Sequence, residues 1–248
     1  MSGNNEILLV DVLHFPLALS LAVQLVGWAI AVTCRTGRHF DLFGSVTFFA
    51  VVISLPNPSE ISALMVIAWC CRLGTFLTIR SLQHGEDPRF VGFLHDSLKQ
   101  AGVWLLQGLW VVICLLPVIL RAHRNAVATV APAPAVLFLL GFALEVTADA
   151  QKWAFKSDPA NSRQKIRTGV WSDVKYPNYA GEIIVWIAIA LAATADGVDN
   201  VTELALSFLS PSFVAFLLVF VSGIPPQEAK MDDGRERDDR AKMVPGVW

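Results

Sequence analysis

The chain alternates between long apolar runs and short polar interruptions, and the runs are long enough to leave water. Crossing about 30 Å of hydrocarbon takes about 20 helical residues. Runs of that order lie near residues 13–34, 41–56, 60–82, 101–121 and 133–155. Two more, near 179–195 and 202–222, are separated by Asp196, Gly197, Asp199 and Asn200. The pattern predicts an all-α fold, a polytopic bundle of about seven transmembrane helices, with the second and sixth short enough to be tilted or re-entrant. Residues 1–223 then form the membrane domain and 224–248 a charged tail.

Composition agrees with that picture. Apolar residues make up 54% of the chain and charged residues 16%, a balance that belongs to membrane proteins. The formal net charge of -2 argues for no partner, and nothing points to nucleic acid. The distribution of charge is more informative. Of the 19 lysines and arginines, all but Arg72, Arg80, Arg121 and Arg124 fall on the side that holds the odd-numbered loops and the tail, or at the end of the fifth helix beside it. The positive-inside rule places that side in the cytoplasm or an organelle matrix. The expected setting is a multi-pass protein of the endoplasmic reticulum or a bacterial inner membrane, with the mitochondrial inner membrane as the alternative. MSGNNEILLVDVLHF has no basic residue ahead of its apolar stretch, so the first helix is expected to be retained.

Several chemistries lack a motif. Cys34, Cys70, Cys71 and Cys114 lie in apolar segments without CxxC spacing, so no metal site or disulfide framework is expected. No GxGxxG, P-loop or GxSxG occurs. Trp28, Trp69, Trp104 and Trp110 suit interfacial anchoring or helix packing equally.

Two segments break the apolar pattern with charge. Arg72 and Arg80 on the third helix point about 80° apart and can line one wall, facing a cleft or an anion, or snorkelling to the interface. On the fifth helix, Glu145, Asp149, Lys152 and Lys156 follow spacings that put them on one stripe, running from acid to base. Beyond it, Asn161, Arg163, Lys165, Arg167 and Lys175 occupy an irregular loop able to cradle a diphosphate or an anionic lipid headgroup. In VKYPNYAGEIIVW, Glu182 enters an apolar run as a carboxylate that needs a partner: a bound ligand, Lys175, or an arginine of the third helix.

The stretch ADAQKWAFKSDPANSRQKIRTGVWSDVKYPNYAGEIIVW resembles the hallmark of the steroid 5-alpha-reductase-like membrane proteins. That group includes the sterol C14 reductases, uncharacterised reductase-like proteins and, more distantly, the isoprenylcysteine methyltransferases. Asp149, Gln151, Lys152, Phe155, Lys156, Asn161, Gly169, Trp171, Pro177, Asn178, Tyr179, Gly181, Glu182 and Trp186 fit the family pattern. RLGTFLTIRSLQHGEDPRF and SGIPPQEAK resemble its uncharacterised branch.

The resemblance implies an NADPH-dependent reductase of a carbon–carbon double bond in a lipid or sterol-like substrate, with residues 134–223 as its cofactor half. Carried over, Asp149, Lys156, Asn178, Tyr179 and Glu182 would hold the cofactor, and Arg163, Lys165 or Arg167 would meet its phosphates. Lys152, Asn161, Arg72 and Arg80 join the candidate cofactor-binding set. The catalytic acid is unassigned, with His84, Glu86 and Asp87 as candidates. The chain departs from the pattern at Tyr176, where the family carries His, and Tyr176 and Tyr179 are its only tyrosines. Two alternatives follow: an inactive, phospholipid-binding accessory subunit of a membrane protein complex, and an S-adenosylmethionine-dependent methyltransferase.

Overall fold

The computed structural model describes residues 9–58, 60–84, 90, 92–124, 132–161, 164–198, 200–221 and 223–225. Their order is α1 (Leu9–Cys34), α2 (Phe40–Ile53), α3 (Ile61–His84), α4 (Ser97–Ala122), α5 (Pro132–Ser157), α6 (Pro177–Ala193) and α7 (Val201–Phe216). A π-helical turn, Leu217–Val221, prolongs α7. No strand occurs among the described residues. Five helical stretches are long and apolar enough to cross a membrane, while α2 and α6 are the short apolar pair the sequence anticipates. The chain is therefore a multi-pass helical membrane protein. Exposed Phe15, Leu25, Leu139, Leu140 and Phe220 clothe its outer faces with the side chains a bilayer tolerates.

Local signals account for the helix ends. Asp96 caps α4 by accepting from the Lys99 amide at 3.0 Å, and Asn200 caps α7 by accepting from the Glu203 amide at 2.9 Å. Pro177 opens α6, where its missing N–H is no loss. After α1, Arg35 takes the left-handed conformation with φ 51, and the Thr36 amide returns to the Ala31 carbonyl at 3.1 Å.

The chain divides into two compact units, Met1–Pro134 with Ile189–Ser210 and Ala135–Ala188 with Pro211–Trp248. In the first, α1 packs on α4 and α2, and α2 packs on α3 and α4. Two polar side chains inside this bundle show how such groups are satisfied there. Gln24 Nε2 donates to Thr47 Oγ1 at 2.7 Å, and the Ser20 hydroxyl donates to the Gly108 carbonyl at 2.8 Å. Trp69 and Trp104 are buried and packed edge-on against phenylalanines, so both are packing residues. Trp28, partly buried, donates from its indole N–H to the Ser97 carbonyl at 3.0 Å.

The first unit also contains an ion network that sequence spacing does not reveal. Arg121 at the end of α4 lies 2.9 Å from Asp196 and 3.9 Å from Glu60, which precedes α3. Arg124 lies 3.0 Å from Glu203 in the first turn of α7 and 3.5 Å from Asp196. Arg124 also donates to the Ala193 and Gly197 carbonyls at the end of α6. Glu60 in turn accepts from the Ser62 amide at 2.8 Å. All five charged side chains are at most 10% exposed.

In the second unit α5 and α6 approach closely at Gly141 and Gly181. A Cβ on Gly181 would stand 2.7 Å from the backbone nitrogen of Glu145 and from the Gly141 carbonyl. Only glycine permits that crossing, which brings the polar stripe of α5 beside the first turns of α6.

Candidate functional site

Downstream of α5 the second unit doubles back on that helix. Two short 3-10 turns, Pro159–Asn161 and Gly169–Trp171, shape the returning segment. At the near end Lys156 Nζ donates to the carbonyls of Asn161, at 3.1 Å, and Gln164, at 2.6 Å. At the far end the Val170 amide donates to Gln151 Oε1 at 3.0 Å. One residue on, the Trp171 indole donates to the Ala148 carbonyl at 3.0 Å. Gly169 makes this fit possible. Its φ is +61, and a Cβ there would lie 2.4 Å from Gln151 Oε1.

Ala148, Trp171 and Tyr176 form a buried cluster packed by Ile166, Val170, Tyr179 and Ile224. Above it opens a basin of about 400 Å³ lined by Lys152, Lys156, Lys165, Arg167 and Lys175, with Asp173 the acid among its walls. Lys152 stands 5.4 Å from the centre of the Trp171 ring and Lys175 stands 5.4 Å from that of Tyr176. Five cations around one volume make it electropositive and attractive to an anion, above all one with a planar group for the aromatic wall.

At the start of α6, Asn178 Nδ2 donates to Asp149 Oδ1 at 3.3 Å, tying the buried carboxylate of α5 to α6. The Oδ1 of Asn178 is itself buried and accepts no hydrogen bond among the described residues. A buried carbonyl in that condition costs about 1–3 kcal/mol, so the site gains from any ligand N–H or O–H delivered there. Glu182, half-buried, follows one turn later on the same helix face.

Of the expected site residues, Lys152, Lys156, Lys165 and Arg167 meet at the basin, and Asp149 meets Asn178. Tyr179 stacks on Tyr176 with ring centres 5.8 Å apart. Asn161 supplies its backbone carbonyl to Lys156, while its side chain reaches Asp158 Oδ2 at 3.5 Å. Arg72 and Arg80 belong to the first unit. Their guanidinium carbons lie 5.5 and 6.0 Å from the Phe76 ring centre, and exposed Arg80 also lies 3.6 Å from Asp41. Arg163, Glu86, Asp87 and the His84 side chain fall outside the described residues.

Trp171, Tyr176 and Gln151 were not named as site residues from sequence, and Lys175 only as part of the phosphate-cradling loop or a partner for Glu182, yet all four build the wall and frame of the basin. The available signal was their place in the hallmark stretch. Neither a curated protein nor a solved structure matches the chain. A family model does match residues 27–242, and the chain belongs to that family, described as "Protein of unknown function (DUF1295)".

Proposed function

We propose that this protein is a membrane-embedded reductase that uses NADPH to saturate a carbon–carbon double bond in a lipid or sterol-like substrate. The observation that carries the reading is the electropositive basin with aromatic walls in the unit that also holds the Asp149–Asn178 pair and its orphaned acceptor. It sits within the stretch that resembles the steroid 5-alpha-reductase-like proteins.

The donor set suits this cofactor. Lys152, Lys165, Arg167 and Lys175 would hold phosphates, with Arg163 added on sequence grounds, and Trp171 would give the basin an aromatic wall. Asn178 Oδ1 would accept from an amide or hydroxyl, and Asp149, Tyr179 and Glu182 would complete the polar contacts. Bound NADPH supplies hydride to one alkene carbon. The chain must then donate or direct a proton to the other carbon or polarise a conjugated carbonyl, and burial of the lipid excludes water. In this reading the basin faces the cytoplasm or matrix.

One observation favours a second reading. Tyr176, standing where the resembled family carries His, is 9% exposed and stacked on Tyr179, so that position serves packing. This suits an inactive accessory subunit whose basin holds a phospholipid headgroup. A methyltransferase fits least, because a sulfonium donor is cationic and the basin is too.

Titration of NADPH into the full chain in nanodiscs separates these readings. The reductase reading expects saturable binding, weakened about tenfold in Asn178→Ala and Glu182→Gln, equivalent to about 1.4 kcal/mol. Absence of NADPH binding to the wild type, with retention of anionic phospholipid, would replace it with the accessory reading.

A further inference from the structure

Five cations line the basin, but their side chains are not equivalently placed. An ammonium has three donors, and Lys156 commits two of them to the Asn161 and Gln164 carbonyls. At most one donor is left for anything else. Gln151 is engaged in the same way, its Oε1 holding the Val170 amide at the other end of the segment. The two residues are five positions apart on α5, about 7.5 Å along the axis. The connecting chain therefore runs back along the helix, carrying Lys165 and Arg167 between two fixed points.

We propose that Lys156 and Gln151 are positioning residues: they staple the two ends of this segment to α5, so that Lys152, Lys165 and Arg167 are presented to an anion that Lys156 itself does not bind. The assignment rests on the anion-binding reading of the basin. It reverses the role that resemblance gives to Lys156, and it adds Gln151, which no motif-based reading placed in the site. Its physical content is preorganisation. Backbone carbonyls that aim their negative ends into an anion site would oppose binding, and the Lys156 ammonium turns two of them away from the ligand and holds them there.

The test uses the full chain in nanodiscs, with NADPH and inorganic pyrophosphate as probes and backbone amide exchange of the ligand-free protein as an independent readout. Lys156→Met should raise exchange across the segment and weaken both probes about tenfold. The slope of log Kd against log ionic strength should stay at the wild-type value, because no contacting charge is lost. Lys156→Arg should restore both, since a guanidinium can donate to two carbonyls. Gln151→Leu should raise exchange around Gly169–Trp171 with the same unchanged slope, and it serves if Lys156→Met fails to fold. Lys152→Met should flatten the slope with exchange unchanged.

A flattened slope in Lys156→Met with wild-type exchange would overturn the assignment and make Lys156 an anion ligand. If the wild type binds pyrophosphate but not NADPH, the reductase reading fails while the staple stands or falls on the same measurements. If it binds neither, the anion reading fails as well, and unchanged exchange in both variants overturns the staple.

Discussion

The ion network of the first unit and the basin of the second are both rich in arginine or lysine, yet they handle charge in opposite ways. In the network two guanidiniums meet three carboxylates, all at most 10% exposed, and Arg124 also caps the end of α6. In the basin, among the described residues, five cations and one acid, Asp173, line an open volume. A cluster whose opposite charges face one another is built for cohesion. A cluster of one sign held at fixed spacing leaves its field available to a ligand.

The comparison is most severely strained by removing one member of the network. Arg121→Met removes the arginine beside buried Glu60 and leaves Asp196 to Arg124 alone, and breaking a buried pair costs about 3–5 kcal/mol. The thermal midpoint of the detergent-solubilised protein should fall sharply, while Lys165→Met should leave it within the scatter of surface changes. Equal midpoints for the two variants would erase the distinction between the clusters.

Ionic strength sharpens it. At 0.5 M salt the Debye length is below about 8 Å, so charges facing open solvent are largely screened while buried pairs are not. NADPH affinity should drop several-fold between low and high salt, with the thermal midpoint of the ligand-free chain barely moved. A midpoint that follows affinity would mean the network is wetter than its burial indicates.

The smallest effect belongs to a fully solvated reference pair. Hydrogen bonds from the Lys99 amide and ammonium hold the Asp96 carboxyl below the usual carboxylate range. A depressed folded value means that its contribution is present above the unfolded pKa and lost as pH falls through the folded one. Asp96→Asn should therefore reduce the loss of stability on acidification, by less than any change in the buried network. Thermal midpoints between neutral pH and pH 3 measure the difference.

What the sequence discloses here is set by how locally each feature is encoded. Helix positions were legible because hydrocarbon thickness demands a run of fixed length, and even the brevity of α2 and α6 showed in the spacing of polar breaks. The α5 stripe was legible because spacings of three and four define a helix face. The ion network was not, because Glu60, Arg121, Asp196 and Glu203 are far apart in the chain and meet only when four helix ends converge. Likewise the spacing of Arg72 and Arg80 suggested a shared wall, but could not show that Phe76 lies beside both or that Asp41 answers Arg80. Candidate cations in the basin were legible as a count of charges. Which of them also holds backbone depended on carbonyl directions that no residue pattern records.

Because the segment that doubles back on α5 is pinned at Lys156 and again at Gln151, its middle can change while its ends keep register. Lys165 and Arg167 can then be exchanged without disturbing the frame, whereas Ile166 between them packs on the buried cluster. Evolution has been left an adjustable rim on a fixed frame, a place where one ancestral scaffold could acquire a taste for differently charged guests.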